Sequence, residues 1–173
     1  MLPDLQADIE RNLRDYAPCT GLRRIMLCLT LNSIHAVTLI RLQQWCASHG
    51  LPTIILAKLL FWFFKIEISA TATIGPGLRL PHPMGIIIAP NATVGPDCDL
   101  YADVRLVLAH GNPQGPTLES GVFMGDGAKA VGAVTIGANS VIGVSSVVTK
   151  NIPANSTAVG IPAKVIANDI TRT

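Results

Sequence analysis

The imidazole is the side chain whose ordinary pKa lies nearest neutrality, and this 173-residue chain has four. His82 sits between Pro81 and Pro83, two residues after Leu80, in an otherwise apolar stretch. An imidazole held at so constrained a point can take a proton from a hydroxyl, the work of a general base. The plainer reading is a corner residue hydrogen-bonded to backbone. His35 and His49 fall in or at the end of helical segments, where packing or a surface role is the simpler account. His110 lies in a stretch, 109–117, punctuated by Gly111, Pro113, Gly115 and Pro116. Such punctuation marks a loop, and its neutral Asn112 and Gln114 could bond to hydroxyl groups. Lys150 and Lys164 lie near the C-terminus beside Ile152-Pro153 and Ile161-Pro162. Read by themselves, such lysines are solvated surface charges.

These residues need a scaffold, and a six-residue beat supplies one. Ile68, Ile74, Leu80, Ile86, Ala92, Cys98 and Val104 are evenly spaced, and Leu118, Met124, Ala130, Ile136, Ile142 and Val148 resume the spacing. Ala72, Leu78, Ala102, Val122, Ala128 and Val134 fall between them. No helix or simple strand repeats at six; hexapeptides stacked three to a coil make a β-helix. Asp126 and Val144 then lie one coil apart on one face. The expected fold is mainly β: a β-helix over 66–152 that ejects the loop 109–117, after an N-terminal helical domain (1–65) and before a capping segment (153–173). Loops thrown out of a rigid solenoid are where ligands are usually gripped.

Within the helical domain, Pro3 to Tyr16 reads as an amphipathic helix. Of its acids Asp4, Asp8 and Glu10, those nearest the start are favoured by the helix dipole. Gly21 to Ser48 reads as a longer helix broken near Asn32, and a third helix runs to about Phe64. The segment 51–64 is very apolar but short and carries Lys58. That suits a buried or membrane-skimming helix better than a span.

Charged residues make up only 14% of the chain and hydrophobic ones 49%, with a net charge of +2. That charge does not suggest nucleic-acid binding. Cys19, Cys28, Cys46 and Cys98 show no metal spacing and read as reduced thiols. With no signal-like N-terminus, the expected location is cytoplasmic.

The beat, the loop, Thr149-Lys150-Asn151-Ile152-Pro153 and Gly160-Ile161-Pro162-Ala163-Lys164 resemble the hexapeptide-repeat acyltransferases. Ile66-Glu67-Ile68, Ile74-Gly75-Pro76-Gly77-Leu78, His82 and Gly85-Ile86-Ile87-Ile88 look like the serine acetyltransferase branch. The helical lead-in, with Ile40-Arg41-Leu42 and Gly50-Leu51-Pro52, looks more like members that acetylate polysaccharides, of the colanic-acid type. The resemblance implies a left-handed coil, acetyl-CoA as co-substrate, no metal, and a homotrimer or dimer of trimers. It implies His82 as general base and Glu67 as its orienting carboxylate. It further implies that Asp126 and Val144 line the pantetheine arm, and that Thr149, Lys150 and Lys164 meet the nucleotide end of CoA.

Two departures bear on the acceptor. Serine acetyltransferases place Asp before the base, where this chain has Pro81, and Arg-His in the loop, where it has Gln114-Gly115. Unpaired serine charges in a closed site would be costly. The expected acceptor is therefore a sugar or glycan hydroxyl held by His110, Asn112 and Gln114. Serine O-acetylation, a non-catalytic scaffold, and a zinc hydratase on the same solenoid are the rivals. The hydratase needs three imidazoles, and only His82 and His110 lie in the solenoid.

Overall fold

The computed structural model describes residues 1–18 and 20–168. Cys19 and the end of the expected capping segment, 169–173, lie outside the described residues. Four helices come first: α1 (Leu2–Leu13), α2 (Gly21–Thr30), α3 (Asn32–Ser48) and α4 (Ile54–Phe64). A single 3-10 turn, Arg14–Tyr16, follows α1. The expected break falls at Leu31, where the chain bends by 70°. No single helix among the described residues is long and apolar enough to cross a membrane. Helix α4 ends because Lys65 turns left-handed, at φ 55°, and the solenoid begins.

The solenoid is a prism of three parallel sheets. The first stacks Glu67–Ile68, Ile87–Ile88, Arg105–Val107, Lys129–Val131 and Val147–Val148. The second stacks Thr73–Ile74, Thr93–Val94, Thr117–Leu118 and Thr135–Ile136. The third stacks Asp99–Leu100, Phe123–Met124, Val141–Ile142 and Thr157–Gly160. Each strand sends one apolar residue inward, and the column from Ile68 to Ala158 is buried. This is the parallel β-helix with a helical N-terminal region that the beat implies, left-handed as the resemblance implies.

The phase of the beat differs from its reading in the sequence. Ile68 pairs with Ile88, twenty residues on, not with Ile86. Ile86, Ala92, Cys98 and Val104 are buried, but they sit at corners; Ile88, Val94, Leu100 and Leu106 are the strand residues. Two extra residues therefore enter the coil between Leu80 and Ile88, around His82. The later insertion is larger than the sequence suggests, since Leu106 pairs with Ala130, twenty-four residues on. Both the strand position and the corner two before it are apolar, so a two-residue slip leaves the spacing of six unbroken. The expected boundary at 152 also moves. Ile152 bridges to Ile136, and Thr157–Gly160 completes a further coil on Val141–Ile142. The returning strand Ala163–Ala167 then covers that edge antiparallel.

An open first coil would expose a row of unpaired backbone groups. Side chains of α1 and α3 occupy them. Gln43 Nε2 donates to Ile68 O (3.0 Å) on the first sheet. Arg41 donates to Ile74 O (2.8 Å) and Gly75 O (2.6 Å) on the second. On the third, Asp8 accepts Leu78 N–H (2.8 Å), while Asn12 accepts from Leu80 N and donates to Leu78 O. Asp8 also pairs with Arg41 at 2.7 Å, both side chains buried. Asp8 is thus the buried hub of a cap. Cys98 fills the column as expected; burial pushes its thiol up to about 11, which keeps it protonated and unreactive.

Candidate active site

The two-residue insertion carries His82 out of the coil at the edge where the third sheet turns into the first. The extrusion is held locally: Met84 N–H donates to His82 O at 2.8 Å, and Gly85 N–H to Phe64 O at 3.1 Å. Gly85 is needed there, with φ 69° and the space of a Cβ already taken by the Asp103 carboxylate. His82 is exposed and meets the ring of Tyr101 edge-on, centroids 6.0 Å apart; Tyr101 in turn packs on Phe123 at 4.9 Å. An edge-to-face pair of this kind fixes ring orientation.

Around His82 lies a cavity of about 220 Å³, lined by Asn12, Asp15, Tyr16, Ser33, Arg79, Pro81 and Tyr101. Its charged wall comes from two elements. Arg79 precedes Leu80 on the third sheet, bridging to Asp99. Asp15 lies in the 3-10 turn after α1, and Arg79 Nη2 donates to it. Asp99, buried, stands 3.6 Å from Arg79 and 3.0 Å from Arg11. Burial works against the charge on Arg79, but the Asp15 hydrogen bond and the charges of Asp99 and Asp15 outweigh it. They hold the guanidinium more firmly protonated than usual. The site thus offers an imidazole, a guanidinium and a carboxylate within one cavity. The sequence reading missed Asp15, Arg79 and Tyr101.

Glu67 is exposed on the first-sheet strand that pairs with Ile87, at the same edge as His82. No hydrogen bond joins the two side chains among the described residues. Asp126 and Val144 follow the paired strands Phe123–Met124 and Val141–Ile142, so they stack on this edge. Asp126 Oδ1 accepts Ala102 N–H at 3.2 Å. Exposed Lys164 pairs with Val159 across the closing hairpin of the third sheet. A track of exposed positions thus descends from His82 past Asp126 and Val144 toward Lys164, at about 4.8 Å per coil.

The remaining expected site residues lie elsewhere. His110, Asn112 and Gln114 are exposed on the edge between the first and second sheets. The loop is folded onto the coil, with Asn91 Nδ2 donating to Pro113 O at 3.1 Å. Gly115 is buried so tightly that a Cβ would stand 2.6 Å from Ala92 N. Thr149 and Lys150 follow Val147–Val148 and occupy that same edge. One chain therefore does not bring these five residues to His82. Among the described residues, no cluster of His, Cys, Asp or Glu could hold a metal ion.

No family model matches the chain. It is 37% identical over 157 residues to serine acetyltransferase of Synechococcus elongatus, covering 88% of this chain and 63% of that protein. The chain thus spans less than two thirds of that relative's length. Serine acetyltransferase of Helicobacter pylori is 34% identical over 173 residues, 96% of this chain and 98% of that protein. A solved serine acetyltransferase in complex with CoA superposes with a TM-score of 0.82 at 26% identity, over 94% of this chain and 68% of that one. These relatives overturn the expectation of a polysaccharide acetyltransferase with a glycan acceptor. That expectation looked for serine-pairing charges only at Pro81, Gln114 and Gly115, whereas Asp15 and Arg79 stand beside His82. With the Helicobacter pylori relative matching nearly end to end and the fold in common, the chain belongs to the serine acetyltransferase family.

Proposed function

We propose that this protein transfers the acetyl group of acetyl-CoA to the hydroxyl of serine. The observation that carries the reading is the juxtaposition of His82, Asp15 and Arg79 in one cavity. Free serine brings an ammonium and a carboxylate, and a closed site must match both. Asp15 takes the ammonium and Arg79 the carboxylate, exchanging their contact with each other for contacts with substrate. Asp99 keeps Arg79 in place meanwhile. This arrangement leaves the serine hydroxyl toward His82.

His82 then removes the hydroxyl proton as the oxygen attacks the thioester carbon. A backbone N–H of the coil stabilises the oxyanion of the tetrahedral intermediate. The carbon–sulfur bond breaks, and the imidazolium returns its proton to the leaving CoA thiolate. Glu67 favours that imidazolium and aligns the ring on substrate binding; hydrogen bonds of this kind are often long before the substrate is bound. The pantetheine arm follows the edge past Asp126 and Val144, with Lys164 at the nucleotide end.

The location of the other residues supports a threefold assembly. In a ring of prisms, one edge of each subunit faces a different edge of the next. The loop edge of one copy, with His110, Asn112, Gln114, Thr149 and Lys150, then closes over the His82 edge of its neighbour. Location in the cytoplasm fits this co-substrate.

Asp15→Asn and Arg79→Met test the acceptor assignment. Each is expected to raise the KM for serine at least about tenfold, the scale of one charge-assisted hydrogen bond. The KM for acetyl-CoA should hold. Steady-state kinetics with both substrates varied reads the difference. An unchanged serine KM in both variants would remove the cavity from acceptor binding.

A further inference from the structure

Helix α4 buries Leu60 and Phe64 against the core, half-buries Leu56, Ala57 and Leu59, and exposes the remaining residues. Ile54 (63% exposed), Ile55 (72%), Trp62 (67%) and Phe63 (71%) are among its exposed residues, with Phe61 beside them. Ile54, Ile55, Lys58, Phe61, Trp62 and Lys65 recur at helical spacing, so they form one face. Lys58 lies in the middle of that face, and Lys65 Nζ stands 5.0 Å above the Phe61 ring. Large contiguous apolar faces on a protein surface mark interaction sites. Helix α2 presents a second exposed apolar stripe, flanked by Arg23.

We propose that the exposed face of α4 docks flat on an anionic lipid bilayer. Charge selects this occupant. No acidic residue occurs anywhere between Asp15 and Glu67, while Arg23, Lys58 and Lys65 are exposed in that interval. A second copy meeting this face about a twofold axis would set a cationic face against itself. An anionic headgroup layer instead complements it, and long lysine stems let the ammonium groups reach phosphate while the rings sink below. Tryptophan beside lysine is the composition favoured at the membrane interface. Length fixes the orientation. Eleven residues make a helix of about 16 Å, far short of a hydrocarbon core of about 30 Å. The helix lies on the surface and does not cross it.

The test is cosedimentation of the full chain with vesicles of phosphatidylcholine alone or with 30% phosphatidylglycerol, at low and high salt, with oligomeric state followed by analytical ultracentrifugation. Binding is expected to the anionic vesicles and to weaken with salt. Lys58→Gln with Lys65→Gln should reduce partitioning about twentyfive-fold, about fivefold for each lysine. Ile55→Ser with Trp62→Ser should reduce it at least about tenfold. Both substitutions fall on exposed side chains, and an unchanged circular-dichroism spectrum checks the fold. No binding of the native chain to either vesicle would overturn the proposal. So would a change in oligomeric state, without any vesicle binding, in the Ile55→Ser and Trp62→Ser variant, which would assign the face to a second copy. Equal binding to both vesicles would overturn the anionic assignment.

Discussion

Replacing His82 with alanine is expected to lower turnover at least about a hundredfold, the lower end of what a general base contributes, while leaving CoA affinity nearly unchanged. The separation follows from geometry. His82 stands at the top of the edge, beside Tyr101 and the Asp15–Arg79 wall, whereas the positions assigned to CoA lie on the coils below. The variant should also fold normally, because His82 is exposed and its loop is held by the backbone bonds of Met84 and Gly85. Stopped-flow turnover and calorimetric CoA binding on the same preparation check both halves. Near-normal turnover would take His82 out of the mechanism. Glu67→Gln should cost less than His82→Ala, because it removes charge and orientation but keeps the base.

Asp8→Ala is expected to be the most damaging single substitution for stability, at about 3–5 kcal/mol, the scale for leaving a buried partner charge uncompensated. The substitution strands the buried guanidinium of Arg41, which Asp8 meets at 2.7 Å, and takes the acceptor from Leu78 N–H. The cap would loosen on the coil, and with it the 3-10 turn that carries Asp15. Denaturant unfolding at fixed protein concentration reads the first effect, and a raised serine KM well below the unfolding midpoint reads the second. A loss below about 1 kcal/mol would mean that water replaces the carboxylate at little cost, as at an exposed ion pair.

The β-helix was legible because Ile68, Ile74, Ile136, Ile142 and the residues between them repeat at a period no other regular structure uses. Its register was not. Ile86 and Ile88 are both apolar and both buried, so the insertion that extrudes His82 left no trace in the spacing. His82 was singled out by its flanking prolines and by the resemblance, and it lines the cavity. Asp15 and Arg79 were not, because their meeting depends on how α1 docks on the first coil. That docking is made by Asp8, Asn12 and Arg41, polar residues that in a sequence look like surface. The same blindness produced the glycan expectation: the charges proposed to meet serine lie sixty-four residues apart in the chain. The edge holding the 109–117 loop was equally hidden, since spacing gives coils but not which corner a site uses.

The central claim, serine as acceptor, is tested most directly by CoA release from acetyl-CoA over a range of L-serine concentrations, with N-acetylserine and serine methyl ester as matched acceptors. Each ester or amide keeps the hydroxyl and masks one charge. The expected result is saturable release with serine and little with either masked form, because Asp15 and Arg79 each lose their partner. No saturable release with serine, or equal turnover of the masked acceptors, would contradict the account.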